Sequence, residues 1–273
     1  MLALPRQNTV QLLSNLPATP STGAYGTRAT GSASTNTKGS WTQVNASLPF
    51  DSYGFWIAIA GTATSGTLTD ALLDIGIGGS GSEVVLVPDL LAGWAGTPTQ
   101  GPRQLWIPIF IPKGTRVAVR CQGQTAPETI DVMFFFRGGR PDMRGELFSG
   151  CDAYGVTSSG ASTGVSHTPG ITGAESSWAS LGSALSRDYG AVLLLVQGAA
   201  STTENAIAYH FEVGISSTTL AEWYWMGNTG EYLVGPVPPE AASLSLPSGS
   251  QLQVRAESSG TAQAHDVAAY CFY

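Results

Sequence analysis

A chain of 273 residues has room for two ordinary domains, and 42% apolar residues with nine Phe, nine Tyr and seven Trp exclude disorder for the bulk of it. Charged residues make up only 11%, against roughly 25% in ordinary globular domains. With two lysines, ten arginines and a net charge of −7, there is no basic stripe to release counterions, which excludes nucleic acid and an acidic membrane surface as partners.

The chain opens on a segment, 1–23, that reads as an extended arm. Residues 9–16 fit one or two helical turns, with Thr9 as N-cap and Pro17 and Pro20 as stops. Leu12, Leu13 and Leu16 are the residues that would anchor the arm on a neighbouring subunit. The alternative is a loose tail. Residues 1–6 carry no basic region ahead of an apolar one, so no secretory leader is expected. No apolar run reaches the ~18 residues that a membrane helix needs, so no membrane insertion is expected either.

From residue 24 onward the chain is written twice. Trp41 recurs as Trp178, Tyr53-Gly54 as Tyr189-Gly190, Gly76-Ile77 as Gly214-Ile215, and Asp131-Val132 as Asp266-Val267, at separations of 135 to 138 residues. So small a drift points to duplication of a whole domain. Copy one is placed at 24–137, a linker at 138–152 and copy two at 153–273. Each copy is large enough for a core of its own.

Strands are expected in copy one at 42–48, 54–60, 72–77, 83–87, 105–111, 116–122 and 130–137. In copy two they are expected at 179–185, 191–197, 206–215, 221–226, 243–246, 251–256 and 265–273. The runs at 54–60 and 191–197 are apolar almost throughout, which suits strands buried on both faces. Many short strands without a helical pattern make an all-β fold, two tandem jelly-roll-like β-sandwiches, with an immunoglobulin-like sandwich as the second choice.

Cys121, Cys151 and Cys271 form no even, repeating framework. They read as free thiols, Cys121 and Cys271 buried in strands, in a chain folded in a reducing compartment.

Chemistry-bearing patterns are weak. Gly160-Ala161-Ser162-Thr163-Gly164 matches a nucleophile-elbow pattern but sits in a Ser/Thr/Gly loop with no strand-turn-helix context. The glycines at 76–81 suit a hairpin turn better than a phosphate cradle. His210 and Glu212 share a strand face and are too few to make a metal site. Asp74 lacks the acidic loop that calcium needs. Asn45-Ala46-Ser47 is a sequon by pattern alone. No recurring cluster of acids, bases or nucleophiles is evident, and no catalytic residue, metal or cofactor is expected.

The strongest binding candidate is Glu222-Trp223-Tyr224-Trp225. It aligns with Glu83-Val84-Val85-Leu86, so copy two carries tryptophan where copy one is aliphatic. Trp223 and Trp225 point to one side and Tyr224 to the other. Exposed, the pair would suit a sugar or a protein contact; inward, they would fill a larger core or an inter-domain contact.

Ala24-Tyr25-Gly26-Thr27 and Asn36-Thr37-Lys38-Gly39-Ser40-Trp41 resemble a family of virion proteins of tailed bacteriophages and gene transfer agents. So do Asp74-Ile75-Gly76-Ile77-Gly78, Pro88-Asp89-Leu90-Leu91 and the run from Leu105 to Arg116. Copy two departs at the second of these phrases, having no equivalent of Pro88-Asp89-Leu90-Leu91. The resemblance implies a β-sandwich component of the particle: head spike, capsid decoration or tail fitting. It implies partners too: the chain itself in a symmetric homo-oligomer, and other virion proteins of capsid or tail. A host surface glycan, read by Trp223 and Trp225, is the alternative ligand.

Overall fold

The computed structural model describes residues 11–16, 26–61, 68–95, 103–124, 126–139, 147–157, 163–198, 207–227, 233–260 and 263–273. Among them every regular element is a strand. The first half holds β1 (Gln11–Ser14), β2 (Thr27–Thr30), β3 (Thr42–Asn45), β4 (Ser52–Gly61), β5 (Leu68–Thr69), β6 (Ala71–Ile77), β7 (Val84–Leu91), β8 (Trp94–Ala95), β9 (Arg103–Ile111), β10 (Val117–Gly123) and β11 (Thr129–Gly138). The second half holds β12 (Cys151–Tyr154), β13 (Val165–His167), β14 (Gly170–Ile171), β15 (Ala179–Ser180), β16 (Tyr189–Gln197), β17 (Ile207–Ile215), β18 (Thr218–Gly227), β19 (Val234–Val237), β20 (Ala242–Leu246), β21 (Leu252–Ser258) and β22 (His265–Phe272).

The first sandwich pairs a sheet ordered β1-β11-β4-β9, with β2 also on β11, against a sheet ordered β3-β10-β6-β7. The second repeats the plan: β12-β22-β16-β20, with β13 on β22, against β21-β17-β18, with β15 on β21. Strand for strand, β1 matches β12, β4 matches β16 and β11 matches β22. Successive long strands cross between the two sheets except at the β6–β7 and β17–β18 hairpins, and the first lies beside the last. That is the jelly-roll order, written twice. Additions are local: a short β5–β8 pairing in copy one, and β14 and β19 on the edges of copy two.

Period-2 alternation builds the cores. In β4, Phe55, Ile57 and Ile59 are buried, and β11 supplies Ile130, Val132, Phe134 and Phe136 opposite them. Phe134 and Phe136 stack 5.3 Å apart, with Phe55 5.4 Å from Phe134. Strand β16 is buried on both faces, as its continuous apolar run predicts: Val192, Leu194 and Val196 enter the core of copy two, while Ala191, Leu193 and Leu195 enter that of copy one. The matching run in β4 differs, because Trp56 and Ala60 on its outer face are only half-buried.

The core of copy two is built from its own residues, but that of copy one is not closed by copy one alone, contrary to the expectation from copy size. The sandwich of copy one is open between its edge strands β7 and β9, and the outer face of the β12-β22-β16-β20 sheet closes it. Ala268, Tyr270 and Phe272 join Leu90, Leu105 and Ile107 in one buried cluster. The Tyr270 hydroxyl accepts from Leu91 N at 2.8 Å and donates to Asp89 O at 2.7 Å, satisfying the exposed edge of β7. Arg103 donates to Leu91 O and, across the junction, to Val196 O, both at 2.9 Å. Trp106 N donates to Pro239 O at 2.9 Å.

The arm also departs from expectation. Residues 11–14 form a strand, not helical turns, and pair along β11 of their own sheet. Leu12, Leu13 and Ser14 pair with Arg137, Phe136 and Phe135. The reason is the unpaired edge of β11, which needs partners more than a short polar segment needs a helix. Leu13 packs on the core, while Leu12 and Leu16 stay exposed. Asn15 locks the strand: its Nδ2 donates to Thr27 Oγ1 at 2.8 Å and Val132 O at 2.9 Å, and its Oδ1 accepts from Phe134 N at 2.7 Å. Thr9 lies outside the described residues.

Candidate assembly surface

On the outer face of the β1-β11-β4-β9 sheet, the side chains between the core positions meet in rows. Phe135 lies opposite Trp56, which lies opposite Trp106; Met133 lies opposite Ala58, which lies opposite Gln104. The two tryptophan rings sit 5.5 Å apart at 52°. Leu12, 69% exposed, lies at one end beside Arg137. Leu12, Trp56, Ala58, Gln104, Met133 and Phe135 line a shallow apolar groove of about 710 Å³. At the far end of the same face Arg28 pairs with the buried Asp131 at 2.8 Å. The Asp131 carboxylate is taken up by Arg28, and what the rest of the face can do is bury apolar surface against a partner.

The same face exists in copy two, and there it is covered. By register, Phe135 opposite Trp56 corresponds to Tyr270 opposite Leu193, and Met133 opposite Ala58 to Ala268 opposite Leu195. These copy-two residues are fully buried against copy one. One face of the jelly roll is therefore an interface in copy two and a half-exposed apolar groove in copy one.

The opposite sheets carry a recurring charged cluster that the sequence reading missed. Arg120 stacks over Trp41 at 4.5 Å, and its Nε donates to Asp74 at 2.8 Å. Arg255 stacks over Trp178 at 4.7 Å, and its Nε donates to Glu212 at 3.0 Å. Gly76 and Gly214 let the rings lie flat on the sheet: a Cβ there would meet Trp41 at 2.6 Å and Trp178 at 2.7 Å. Burial pushes the Asp74 carboxyl up, but Lys38, the Asp89 N–H and Arg120 outweigh it and hold the group below its usual range. Glu212 is likewise pushed up by burial and drawn lower overall by Thr219 and Arg255. Both carboxylates are consumed by their arginines, so the cluster reads as a brace. Its signal was in the sequence: Trp, Gly and Arg recur at matched spacing, but Asp74 against Glu212 hides the acid.

Trp223 and Trp225 do not form an exposed platform. Both are 1% exposed in the core of copy two. Trp225 meets Phe211 edge-on at 5.2 Å, and Trp223 Nε1 donates to Glu240 O at 3.2 Å. They face inward because β17 and β21 on the same sheet send Phe211, Val213 and Val254 inward, and β19 then runs along β18 and closes that edge. Tyr224, alternating outward, is exposed and stacks on His210 at 4.6 Å. Met226, Val234 and Val237 are exposed around it.

Other candidates resolve into local structure. Cys121, Cys151 and Cys271 are free and buried. Burial first, then Glu128, pushes the Cys121 thiol up to about 12, which makes it inert. His210 reaches Glu222 at 2.8 Å and not Glu212. The glycines at 76–81 turn between β6 and β7. Asn45 Oδ1 accepts from Ser47 N at 2.9 Å. Ser162 lies outside the described residues. No group of three His, Cys, Asp or Glu among the described residues could hold a metal ion, and no helix there is long and apolar enough to cross a membrane.

No known protein-family model matches this chain, and no curated protein matches it in sequence. Solved structures give weak likenesses. PNGF-II is 7% identical with a TM-score of 0.37 over 97% of this chain, which spans 66% of that protein's length. The tandem CBM22 domains of Paenibacillus barcinonensis Xyn10C are 10% identical with a TM-score of 0.27 over 96% of this chain and 91% of theirs. The VP2 subviral particle of infectious bursal disease virus is 11% identical with a TM-score of 0.25 over 99% of this chain and 74% of that one. At these scores no functional argument passes from them.

Proposed function

We propose that this protein is a non-enzymatic structural component of a tailed-phage-like particle, acting by assembly with itself and with other particle proteins. The observation that carries the reading is the apolar outer face of copy one, whose twin in copy two is already an interface. A sheet face bearing Trp56, Trp106, Met133 and Phe135 costs free energy in water unless a partner covers it. The low content of charge supports the same reading, because such a surface is easily dried. The resemblance of the turn and strand phrases to those of tailed-phage and gene-transfer-agent virion proteins supports the kind of particle, as head spike, capsid decoration or tail fitting. The glycan reading loses its two tryptophans to the core and keeps only Tyr224.

The test is density-gradient fractionation of particles from producing cells. The chain is expected in the particle band at fixed stoichiometry, resistant to a high-salt wash. A chain that stays entirely outside the particle band overturns the reading.

A further inference from the structure

We propose that the apolar face of copy one is a two-fold, self-complementary contact with the same face of a second copy of this chain. The inference rests on the assembly reading above and names the partner for its surface.

Two observations lead there. In copy two the equivalent face, Leu193, Leu195, Tyr270 and Phe272, is buried against a jelly roll of the same duplicated sequence. This face of the fold therefore has one interface on record, and its occupant is another copy of the fold. The second observation concerns how that occupant can sit. Within the chain the face docks edge-on, closing the side bounded by β7 and β9. The matching side of copy two is bounded by β18 and β20, and it is already shut: β19 pairs along β18, and Trp223, Trp225 and Leu233 fill the core beneath. Head-to-tail repetition of the internal contact is blocked, so the chain does not propagate as a filament. What remains open to a second copy is face against face, which closes on itself as a dimer. The chemistry suits this: the centre is neutral and apolar, with Trp56, Met133 and Phe135, and Gln104 and Arg137 stand toward its margins. Like faces of this composition meet without opposed charges at the centre.

The experiment uses the full chain. Native mass by light scattering on a sizing column is measured for the wild type, for Leu12→Lys and for Met133→Lys, with melting temperature as the control for folding. Leu12 is already 69% exposed, so its lysine variant tests the surface without loading the core. The expected result is a wild-type dimer whose dissociation constant rises about 30-fold or more in the variants while they stay folded. A second measurement fixes the symmetry. Met133→Cys under mild oxidation is expected to cross-link to a covalent dimer, because a residue at the centre of a self-complementary face lies near the two-fold axis and meets its own copy; the three native thiols are buried. A wild-type monomer of 28 kDa overturns the proposal. So does an oligomer that survives both lysine variants, or one that they dissolve but Met133→Cys never cross-links. A monomer that still enters particles would sink this contact and leave the assembly reading standing; a dimer absent from particles would do the reverse.

Discussion

At the residue scale, the buried titratable groups decide how the protein meets acid. His265 is 1% exposed, packs edge-on to Tyr209 at 4.7 Å, and neither ring nitrogen has a hydrogen-bond partner. Burial, and to a lesser degree His167, lowers its pKa from 6.5 to about 4. The unfolded chain therefore takes up this proton first, and stability falls as the pH drops from about 6.5 to about 4, by on the order of 3 kcal/mol. His167 is lowered by burial too and adds in the same direction. Urea melts across that range should show the loss, and His265→Leu should flatten most of it. Asp74 acts in a separate window. Its folded pKa is depressed, so its contribution is present above the ordinary carboxyl range and vanishes only as the pH falls through the lowered value. Arg120→Ala leaves Asp74, 3% exposed, with Lys38 as its remaining cation; a loss of about 2–4 kcal/mol at neutral pH is expected in the same melts.

At the scale of elements, strands with strong alternation or a long apolar run were legible: β4, β6, β9, β10, β11, β16, β17 and β22 fall within a few residues of where the pattern puts them. Strand β1 was not, because Gln11–Ser14 has no pattern of its own; the edge of β11 confers it. Asn15 is the device that holds it there. Asn15→Ala leaves Phe134 N without its side-chain acceptor and should cost about 1–3 kcal/mol, read as a lower melting temperature. The tryptophans of β18 show the opposite failure. Alternation correctly separated Trp223 and Trp225 from Tyr224, but which of the two sides is inside depends on where the facing sheet lies.

At the scale of the molecule, the closing of copy one by copy two makes the halves unequal. Residues 1–139 alone would leave Leu90, Leu91 and Leu105 without their cover, and are expected to aggregate or to bind a hydrophobic dye. The intact chain should melt in one calorimetric transition; two well-separated transitions would show that the junction is not cooperative. Tyr270→Phe probes the junction lightly. It keeps the ring and removes the hydroxyl that serves Leu91 N and Asp89 O, so a loss of about 1–3 kcal/mol is expected without a change of fold.

By itself the sequence determined the all-β class, the duplication, most of the strands and the low content of charge, because these follow from period, spacing and composition along the chain. Only the tertiary structure decided which apolar face is core, which is junction and which stays half-exposed. Met133, Phe135 and Trp56 read much like Ala268, Tyr270 and Leu193, since all alternate with core residues in long strands. They differ only in what is packed against them, and packing between distant segments is not written in local pattern.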